Sequence, residues 1–420
     1  MQKQEYQSQE PQHSLIETHE ETDCCIVGAG PAGALLALLL ARQGVKVTLL
    51  EEHLDFARDF RGDTVHPSTM EVLAQIGLAE RVLQLEHTQA SELLIETSQG
   101  MTGKISFEHL KTPYPYLTLI PQVHFLECIT EATRRYANFR LVMGARAEKL
   151  IEEDGYIHGV HYRSLDGWHE LRAVLTVGAD GRFSRIRKLA GFEEVKSSQP
   201  MDVLWFRLPR EAGDPQNVGN KLGIGQDHLF IQLDRGTEWQ IGYTILKGSY
   251  QALKQAGLER LRSDVASIAP AFTERLQTIT AWKQIAVLSV ESSMVRRWFR
   301  PGLLVIGDAA HVMTPVGGVG INYAIQDAVA TANILAEGLK KGQVRTSDLA
   351  RVQRQRELPT RMIQGFQNLL QKQIQQSVMT TKERPQLPLP LRLTLRMPFL
   401  RDLPAKFIAF GPNRARVKNP

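Results

Sequence analysis

One run of sequence, from Gly302 to Asp327, constrains the fold of this chain more than any other stretch. It begins as an apolar strand, passes through Gly307 and Asp308, and continues through Pro315 and three further glycines into a helix. Glycine has no Cβ, so a loop rich in it lets the backbone approach a neighbouring group closely. The run therefore predicts a strand, loop and helix whose loop lies against something flat and wide.

A second glycine loop lies near the N-terminus, between a predicted strand ending at Val27 and a predicted helix ending at Gln43. Its residues are Gly28, Gly30, Pro31, Ala32 and Gly33. In this pattern the first glycine permits a tight turn, the second admits a pyrophosphate and the third lets helix pack on strand. The phosphates would sit at the helix N-terminus. The loop thus predicts a bound dinucleotide.

Glu51 ends the strand that follows this helix. Its carboxylate can accept hydrogen bonds from the ribose hydroxyls of the dinucleotide, and it would repel a 2′-phosphate. This position therefore favours FAD or NAD over NADP. The two glycine loops together predict FAD, with its adenosine end at Gly28 to Gly33 and its ring at the later run.

A third turn, Ala179-Asp180-Gly181, directly follows a predicted strand. An Asp-Gly pair at such a turn is often only a helix cap, with the carboxylate accepting from the first helical amides. Gly307-Asp308 has the same alternative interpretation. Neither pair alone establishes a binding site.

Composition places the chain among ordinary globular proteins, with 43% apolar and 23% charged residues in 420. Its three cysteines form no disulfide or metal pattern, so we expect no metal and a reducing, cytoplasmic location. The longest apolar run, Ala32 to Ala41, is too short to cross a bilayer. We expect the polar residues 1–21 to form a disordered tail.

The net charge of +5 is unevenly distributed, because residues 384–420 carry eight basic side chains against Asp402 alone. The same segment is apolar and rich in proline. It could make a peripheral contact with an acidic membrane surface, or it could pack across the body of the protein with its charges in solvent. No basic or aromatic motif supports nucleic-acid binding.

Strand-rich blocks separate the nucleotide motifs, which indicates an α/β fold with a Rossmann-like FAD-binding domain interleaved with a β-sheet substrate domain. The FAD-binding domain is expected over residues 22–86, 120–200 and 291–337. The substrate domain, a mixed sheet with helices, is expected over 87–119 and 201–290. Residues 338–420 should form a C-terminal helix and the basic, apolar tail. We also predict a β-meander from residue 140 to 177.

The combination of motifs strongly resembles the single-component (class A) FAD-dependent aromatic hydroxylases, the para-hydroxybenzoate hydroxylase family, over about residues 22 to 375. The resemblance implies that Asp308 contacts the ribityl-diphosphate region of FAD and that Asp180 and Gly181 serve FAD and NAD(P)H. It also places one stretch of backbone along the isoalloxazine ring: Pro315, Gly317, Gly318, Gly320, Ile321 and Asn322.

Two further segments match this family. Arg61, in a loop before a helix, would contact the flavin side, and Gln122, in Ile120-Pro-Gln, would contact FAD. Their alternatives are a surface salt bridge and a helix cap.

The resemblance implies an FAD-dependent monooxygenase that takes electrons from NADPH or NADH and uses O2 through a flavin hydroperoxide. It would hydroxylate or epoxidise a small organic substrate, aromatic or polyketide-like. Pro315, Arg207 and Tyr243 are the candidate catalytic residues, although the sheet residues among them can equally be core residues. The candidate pocket residues of the middle sheet are Trp205, Arg207, Phe230, Gln232, Trp239 and Tyr243.

Other activities remain open from the sequence. Flavin-dependent halogenases share the nucleotide motifs, but their Trp-x-Trp-x-Ile-Pro signature is absent here. An FAD-dependent reductase or cyclase of an isoprenoid-type substrate at a membrane surface is the main alternative, and a non-catalytic flavoprotein is the second. The protein is expected to be a monomer or a homodimer.

Overall fold

The computed structural model describes residues 16–57, 63–97, 100–214, 220–224, 228–380 and 402–418. Its strands are β1 (Ile16–Val27), β2 (Val47–Glu51), β3 (Thr64–Val65), β4 (Thr88–Ala90), β5 (Glu92–Thr97), β6 (Gly100–Ser106), β7 (Leu117–Leu119), β8 (Phe139–Met143), β9 (Arg146–Glu153), β10 (Tyr156–Ser164), β11 (Gly167–Gly178), β12 (Glu194–Ser198), β13 (Met201–Pro209), β14 (Asn220–Ile224), β15 (Leu229–Asp234), β16 (Glu238–Leu246), β17 (Ala286–Leu288), β18 (Glu291–Val295), β19 (Phe299–Arg300), β20 (Leu303–Val305) and β21 (His311–Val312). Its helices are α1 (Pro31–Arg42), α2 (Pro67–Gln75), α3 (Ala79–Leu83), α4 (Gln122–Thr133), α5 (Arg185–Leu189), α6 (Tyr250–Ala256), α7 (Leu258–Ile268), α8 (Gly320–Lys340), α9 (Thr346–Thr380) and α10 (Leu403–Phe410).

The largest sheet has a parallel centre in the order β20, β11, β1, β2, β8. Its β1 residues Cys24 to Val27 are buried, and α1 packs behind them with almost every residue buried. A strand buried on both faces needs an apolar run of this kind, since helices cover both sides of a parallel sheet. The predicted α/β class with a Rossmann-like unit is confirmed.

The N-terminal strand is longer than the sequence indicates. β1 begins at Ile16, so the predicted disordered tail is wrong for residues 16–21, which pair with β11 in parallel register. The side chains in this stretch are polar but paired: Thr18 Oγ1 lies 2.8 Å from His169 Nδ1, and Glu20 accepts from Arg140. Partners on neighbouring strands stabilise a segment whose composition alone predicts a tail.

The predicted β-meander holds for β9, β10 and β11, which pair antiparallel in sequence. It is wrong for β8, which pairs in parallel with β2 at the edge of the main sheet. Parallel neighbours need a crossover connection, usually a helix. The helix α4 precedes β8 and provides that crossover.

A seven-stranded sheet has the order β17, β13, β16, β15, β14, β5, β6. Its strands come from residues 92–106 and 201–288, and we propose that these blocks form the substrate domain. One face packs on α6 and α7, with Phe206, Phe230, Trp239 and Tyr243 buried there. On the other face, Trp205 lies on Gly242, where a Cβ would stand 2.9 Å from the indole ring.

Two long helices lie in the C-terminal part of the chain, where the sequence predicts a helix over part of residues 338–420. α8 is largely buried, the chain turns at residues 341–345, and α9 continues to Thr380. No described helix is long and apolar enough to cross a membrane.

Residues 402–418 are part of the packed body. Ala405, Ile408, Ala409 and Phe410 are buried in a core cluster with strands of the second sheet, and Arg414 lies over the Phe410 ring at 3.7 Å. These apolar side chains are therefore turned into the protein, so this part of the tail has the second of the two arrangements that the sequence left open, packing across the body. Residues 384–401 lie outside the described residues, and membrane contact by them stays a prediction.

Candidate functional site

The N-terminal glycine loop has two tightly packed glycines and one open glycine. Gly28 has a φ of 100°, and a Cβ there would lie 2.6 Å from Ala179 O. A Cβ on Gly33 would lie 1.9 Å from Gly28 O, whereas no heavy atom of the described chain lies within 4 Å of that position on Gly30. Gly28 and Gly33 shape the turn, and Gly30 leaves room for a ligand.

The first turn of α1 presents free amides beside that space. Pro31 occupies the first helical turn, Gly30 caps it without a side-chain acceptor, and the first turn, which includes Ala32, has no acidic residue. The partial positive charge of a helix N-terminus with unpaired amides favours an anion. This end of α1 can therefore hold a diphosphate.

Glu51 ends β2 and is 8% exposed. Its Oε2 accepts a hydrogen bond from Ala29 N at 2.9 Å, and its Oε1 accepts from His53 N at 3.1 Å. The carboxylate that the sequence assigns to a ribose thus also holds the glycine loop. Its place at the carboxyl end of a parallel strand is where α/β folds bind ligands.

Asp180 acts as a helix cap in this structure. Its carboxylate accepts from Ser184 Oγ at 2.5 Å, Arg185 N at 2.6 Å and Ile186 N at 3.0 Å, at the start of α5. Burial raises the pKa of Asp180 despite these bonds. The backbone of Ala179 and Asp180 presses on Gly28, with Gly181 next in the turn. The carboxylate of Asp180 therefore agrees with the helix-cap alternative, and a contact of Asp180 with FAD stays a prediction.

The later glycine run reaches the first loop through Gly307. A Cβ on Gly307 would lie 3.1 Å from Ala32 Cβ, in the first turn of α1. Gly307 has a φ of 59° and begins a short 3₁₀ turn with Asp308, which is half-buried. The two motifs, far apart in sequence, therefore meet side by side, and Asp308 lies next to the anion-binding end of α1.

The loop from Pro315 to Gly320, which we call the ring loop, contains two glycines in the left-handed region. Gly317 has a φ of 79° and Gly318 a φ of 62°, conformations that L side chains rarely adopt. A Cβ on Gly318 would lie 3.2 Å from Thr64, so β3 packs against the loop. The loop is thus a fixed turn rather than a loose connection.

The start of α8 resembles that of α1 in having free amides. Gly320 and Ile321 lie in its first turn, which has no side-chain cap and no acidic residue. Asn322 is fully buried, and its Oδ1 accepts from Ser68 Oγ at 2.5 Å and Thr69 Oγ1 at 2.8 Å. Its Nδ2 is buried with no partner among the described residues, so a donor remains for a ligand.

Gln122 is half-buried at the first residue of α4, and its contact with FAD stays a prediction. Arg61 lies outside the described residues.

The structure places two candidate catalytic residues on opposite faces of the second sheet, and a catalytic role for either stays a prediction. Tyr243 is 1% exposed on the face of the second sheet that packs against α7, stacked on His228 and away from Trp205. Arg207 is exposed and pairs with Glu238 at 3.0 Å. Alternation along a strand shows which residues share a face but not which face meets the ligand. Phe230 and Trp239 share the buried face of Tyr243.

A buried ionic cluster lies behind the site, and it was not predicted from the sequence. Asp327 is fully buried and accepts from Gly307 N at 3.0 Å, His311 Nε2 at 2.6 Å and Arg356 Nε at 2.7 Å. Burial opposes its ionisation, but His311 and Arg356 outweigh that effect and lower the pKa of Asp327. In the sequence, the carboxylate of Asp327 within an apolar stretch of α8 could have indicated this cluster, since buried charges are nearly always paired.

His66 is a second residue that the sequence did not single out. It is fully buried between the ring loop and α10, with Nε2 3.0 Å from Gly318 O and Nδ1 2.9 Å from Ile408 O. Burial lowers its pKa to about 4, against the opposing effect of these carbonyls. A neutral imidazole has one N–H, so it can donate to only one of the two oxygens at a time.

The residues present fit FAD. One end of the site has the open space at Gly30 and the uncapped N-terminus of α1. The other end has the uncapped N-terminus of α8 and the unpaired Nδ2 of Asn322. The contact of Gly307 with Ala32 joins the two ends. In FAD the diphosphate lies between the adenosine and the flat, polar ring, so the site needs hydrogen-bond donors first at the diphosphate and then at the ring.

Comparison with known proteins agrees with this geometry. The family described as "FAD binding domain" matches residues 21–363. The 6-methylpretetramide 4-monooxygenase of Streptomyces rimosus is 33% identical over 323 residues, 76% of each chain. The para-nitrophenol 4-monooxygenase of Pseudomonas sp. is 25% identical over 330 residues, 76% of this chain and 78% of that one.

Among solved structures, PqsL of P. aeruginosa in complex with 2-aminobenzoylacetate has the same fold. Its TM-score is 0.75 at 22% identity, over 85% of this chain and 97% of that one. The loops that the residues assign to FAD thus fall within a matched family and fold. The chain belongs to the FAD binding domain family, and it is an FAD-dependent monooxygenase that acts on a small molecule.

Proposed function

We propose that the protein uses FAD, NADH or NADPH, and O2 to place one oxygen atom on an aromatic or polyketide-like compound related to 6-methylpretetramide. The observation that carries this proposal is the contact of Gly307 with Ala32, which joins both glycine loops into one elongated site. The relative named for 6-methylpretetramide, at 33% identity, supports the substrate class.

The chain binds and orients the cofactor at three points. Amides at the start of α1 hold the diphosphate, the carboxylate of Glu51 receives the adenosine ribose, and Asp308 contacts the ribityl portion. Bound FAD supplies the redox chemistry between the reduced nicotinamide and O2. The amides at the start of α8 stabilise negative charge that develops near the ring, since donors fixed in a dry site need not reorganise.

An apolar cluster beside the ring loop excludes water. It consists of Met313, Val319, Tyr323 and Ile363, with Phe366 and Phe407 packed against them. The two phenylalanine rings meet edge to face with centroids 5.2 Å apart, which joins α9 to α10. We infer that the substrate lies between this cluster and the Trp205 face of the second sheet, where a flat apolar molecule finds aromatic partners.

The oligomeric state that we propose is a monomer or a homodimer. Sedimentation equilibrium of the FAD-loaded protein measures this directly.

The function is tested with the purified, FAD-loaded protein under air. NADH or NADPH is added with 6-methylpretetramide, 4-nitrophenol or 2-aminobenzoylacetate, and O2 uptake is followed with the product mass. We expect the first compound to stimulate O2 uptake most and to give a product about sixteen mass units heavier, labelled when ¹⁸O2 is supplied. Nicotinamide oxidation without label in any product would contradict the proposal, and saturation of a double bond without O2 would indicate the isoprenoid reductase instead.

A further inference from the structure

The inner face of α9 carries more buried polar side chains than a core-facing helix normally does. Six side chains at helical spacing are buried along it: Gln353, Arg356, Thr360, Gln364, Gln367 and Gln371. A buried amide left unpaired costs about 1–3 kcal/mol, whereas leucine or methionine would fill the same space without that cost. Polar groups retained at these positions therefore need hydrogen-bonding partners.

For Gln364 and Gln367, the partners are backbone carbonyls of the segment that carries the ring loop. Gln364 Nε2 donates to Ser293 O and Val312 O, both at 2.9 Å, and so bridges the paired strands β18 and β21. Gln367 Nε2 donates to Thr314 O at 3.0 Å and Val316 O at 2.7 Å. Gln367 thus holds the carbonyls on both sides of Pro315.

The geometry defines the orientation of the Gln367 amide. Both carbonyls are acceptors, so the NH2 group has to face them, and the reverse orientation would set Oε1 against two oxygens. The Gln367 side chain is only 1% exposed, and its Oε1 is buried with no partner among the described residues. An apolar residue would avoid that cost, which indicates that the two donated bonds matter.

These bonds also orient the next peptide group. A trans peptide is planar, so its C=O and N–H point in opposite directions. Because Val316 O points to α9, the N–H of Gly317 points away from α9 into the ring loop. Glycine has no Cβ to hinder rotation of this peptide group. The bond from Gln367 therefore restrains the Val316 carbonyl, and with it that N–H, in addition to the turn bond from Gly318 N to Pro315 O at 3.0 Å.

We propose that Gln367 is a positioning residue that orients the ring-loop amides towards the flavin ring, and that Gln364 only supports the fold. This inference rests on the proposed placement of the ring along Pro315 to Asn322. It predicts that loss of the Gln367 donors weakens the preference of the loop for the reduced, more negative form of FAD.

The test compares Gln367→Met with Gln364→Met. Methionine keeps the length of the side chain and removes both donors, so both variants should unfold at lower urea concentration than the parent. Only Gln367→Met should lose about tenfold in the ratio of reduced to oxidised FAD affinity, which is about 30 mV in the two-electron potential. Its flavin absorption band should also shift, and Gln355→Met, at an exposed position on the same helix, should change neither property.

The inference is overturned if Gln367→Met keeps the parent potential and spectrum, or if Gln364→Met changes them equally. Should Gln367→Met fail to fold, Gln367→Asn replaces it: the shorter amide reaches fewer carbonyls, and a partial loss of potential is expected. All readouts are made without substrate. An inactive protein with the expected potential shift would contradict the proposed substrate but not the role of Gln367, whereas a protein that takes up no FAD would contradict the proposed function itself.

Discussion

At the scale of single residues, His66 links the two parts of the molecule nearest the predicted ring. Because its pKa in the folded protein is about 4 and that of an unfolded histidine is about 6.5, the unfolded chain takes up the proton first as the pH falls. The stability attributable to neutral His66 is therefore complete above pH 7 and is lost between about pH 6.5 and 4.

We expect His66→Gln to remove this acid-dependent loss. The parent should lose about 2 kcal/mol more than the variant between pH 7 and pH 5, as measured by urea unfolding at each pH. His109→Gln, at an exposed position, serves as the control and should keep the parent's dependence. Parallel curves for the parent and His66→Gln would mean that His66 is not held neutral by burial.

Glu51 allows a matched comparison with its neighbour. Glu51→Arg places a cation where a ribose needs an acceptor and removes the bond to Ala29 N, so FAD should bind at least about tenfold more weakly. Glu52→Arg, next in sequence but exposed beside Arg146, should bind FAD as the parent does. Flavin fluorescence quenching gives both affinities, and equal values for the two variants would remove Glu51 from the site.

At the scale of structural elements, the first βαβ unit contains one glycine that is needed for binding and another that is needed for folding. Gly30 has open space and a φ of −69°, so Gly30→Val should give a folded protein that cannot bind FAD. Gly28 O lies where a Cβ on Gly33 would stand, so Gly33→Ala should lower both FAD binding and the stability of the fold. Circular dichroism melting together with the flavin-to-protein absorbance ratio distinguishes the two outcomes. A Gly30→Val protein that retains FAD would place the diphosphate elsewhere.

Elements differ in how far the sequence determines them. The βαβ unit and the strand before Gly307 were predictable because their turns and caps are local. β8 was predicted as part of a meander, since its pairing with β2 depends on the intervening crossover and not on its own residues. The faces of Arg207 and Tyr243 were not predictable either, because alternation is symmetric until a second layer is placed. The partners of Asp327 and Gln367 come from distant segments.

At the scale of the whole molecule, α10 ties the C-terminal segment to the second sheet and to α9. Ile408 is 8% exposed in the core, so Ile408→Ala should cost about 2–5 kcal/mol. Lys406→Ala, on the exposed side of the same helix, should cost little. Urea unfolding measures both, and removal of residues 402–420 should give an aggregating protein. A truncated chain that stays soluble and yellow would show that the segment is peripheral.

The contact of Gly307 with Ala32 also bears on how the protein matures in a cell. A ribosome finishes α1 long before it makes β20, which borders β11 in the main sheet. The diphosphate end of the site therefore exists early without its other half, and the nascent chain has to remain unliganded until the later segment emerges. Cofactor supply should accordingly matter only once the segment around Gly307 has emerged.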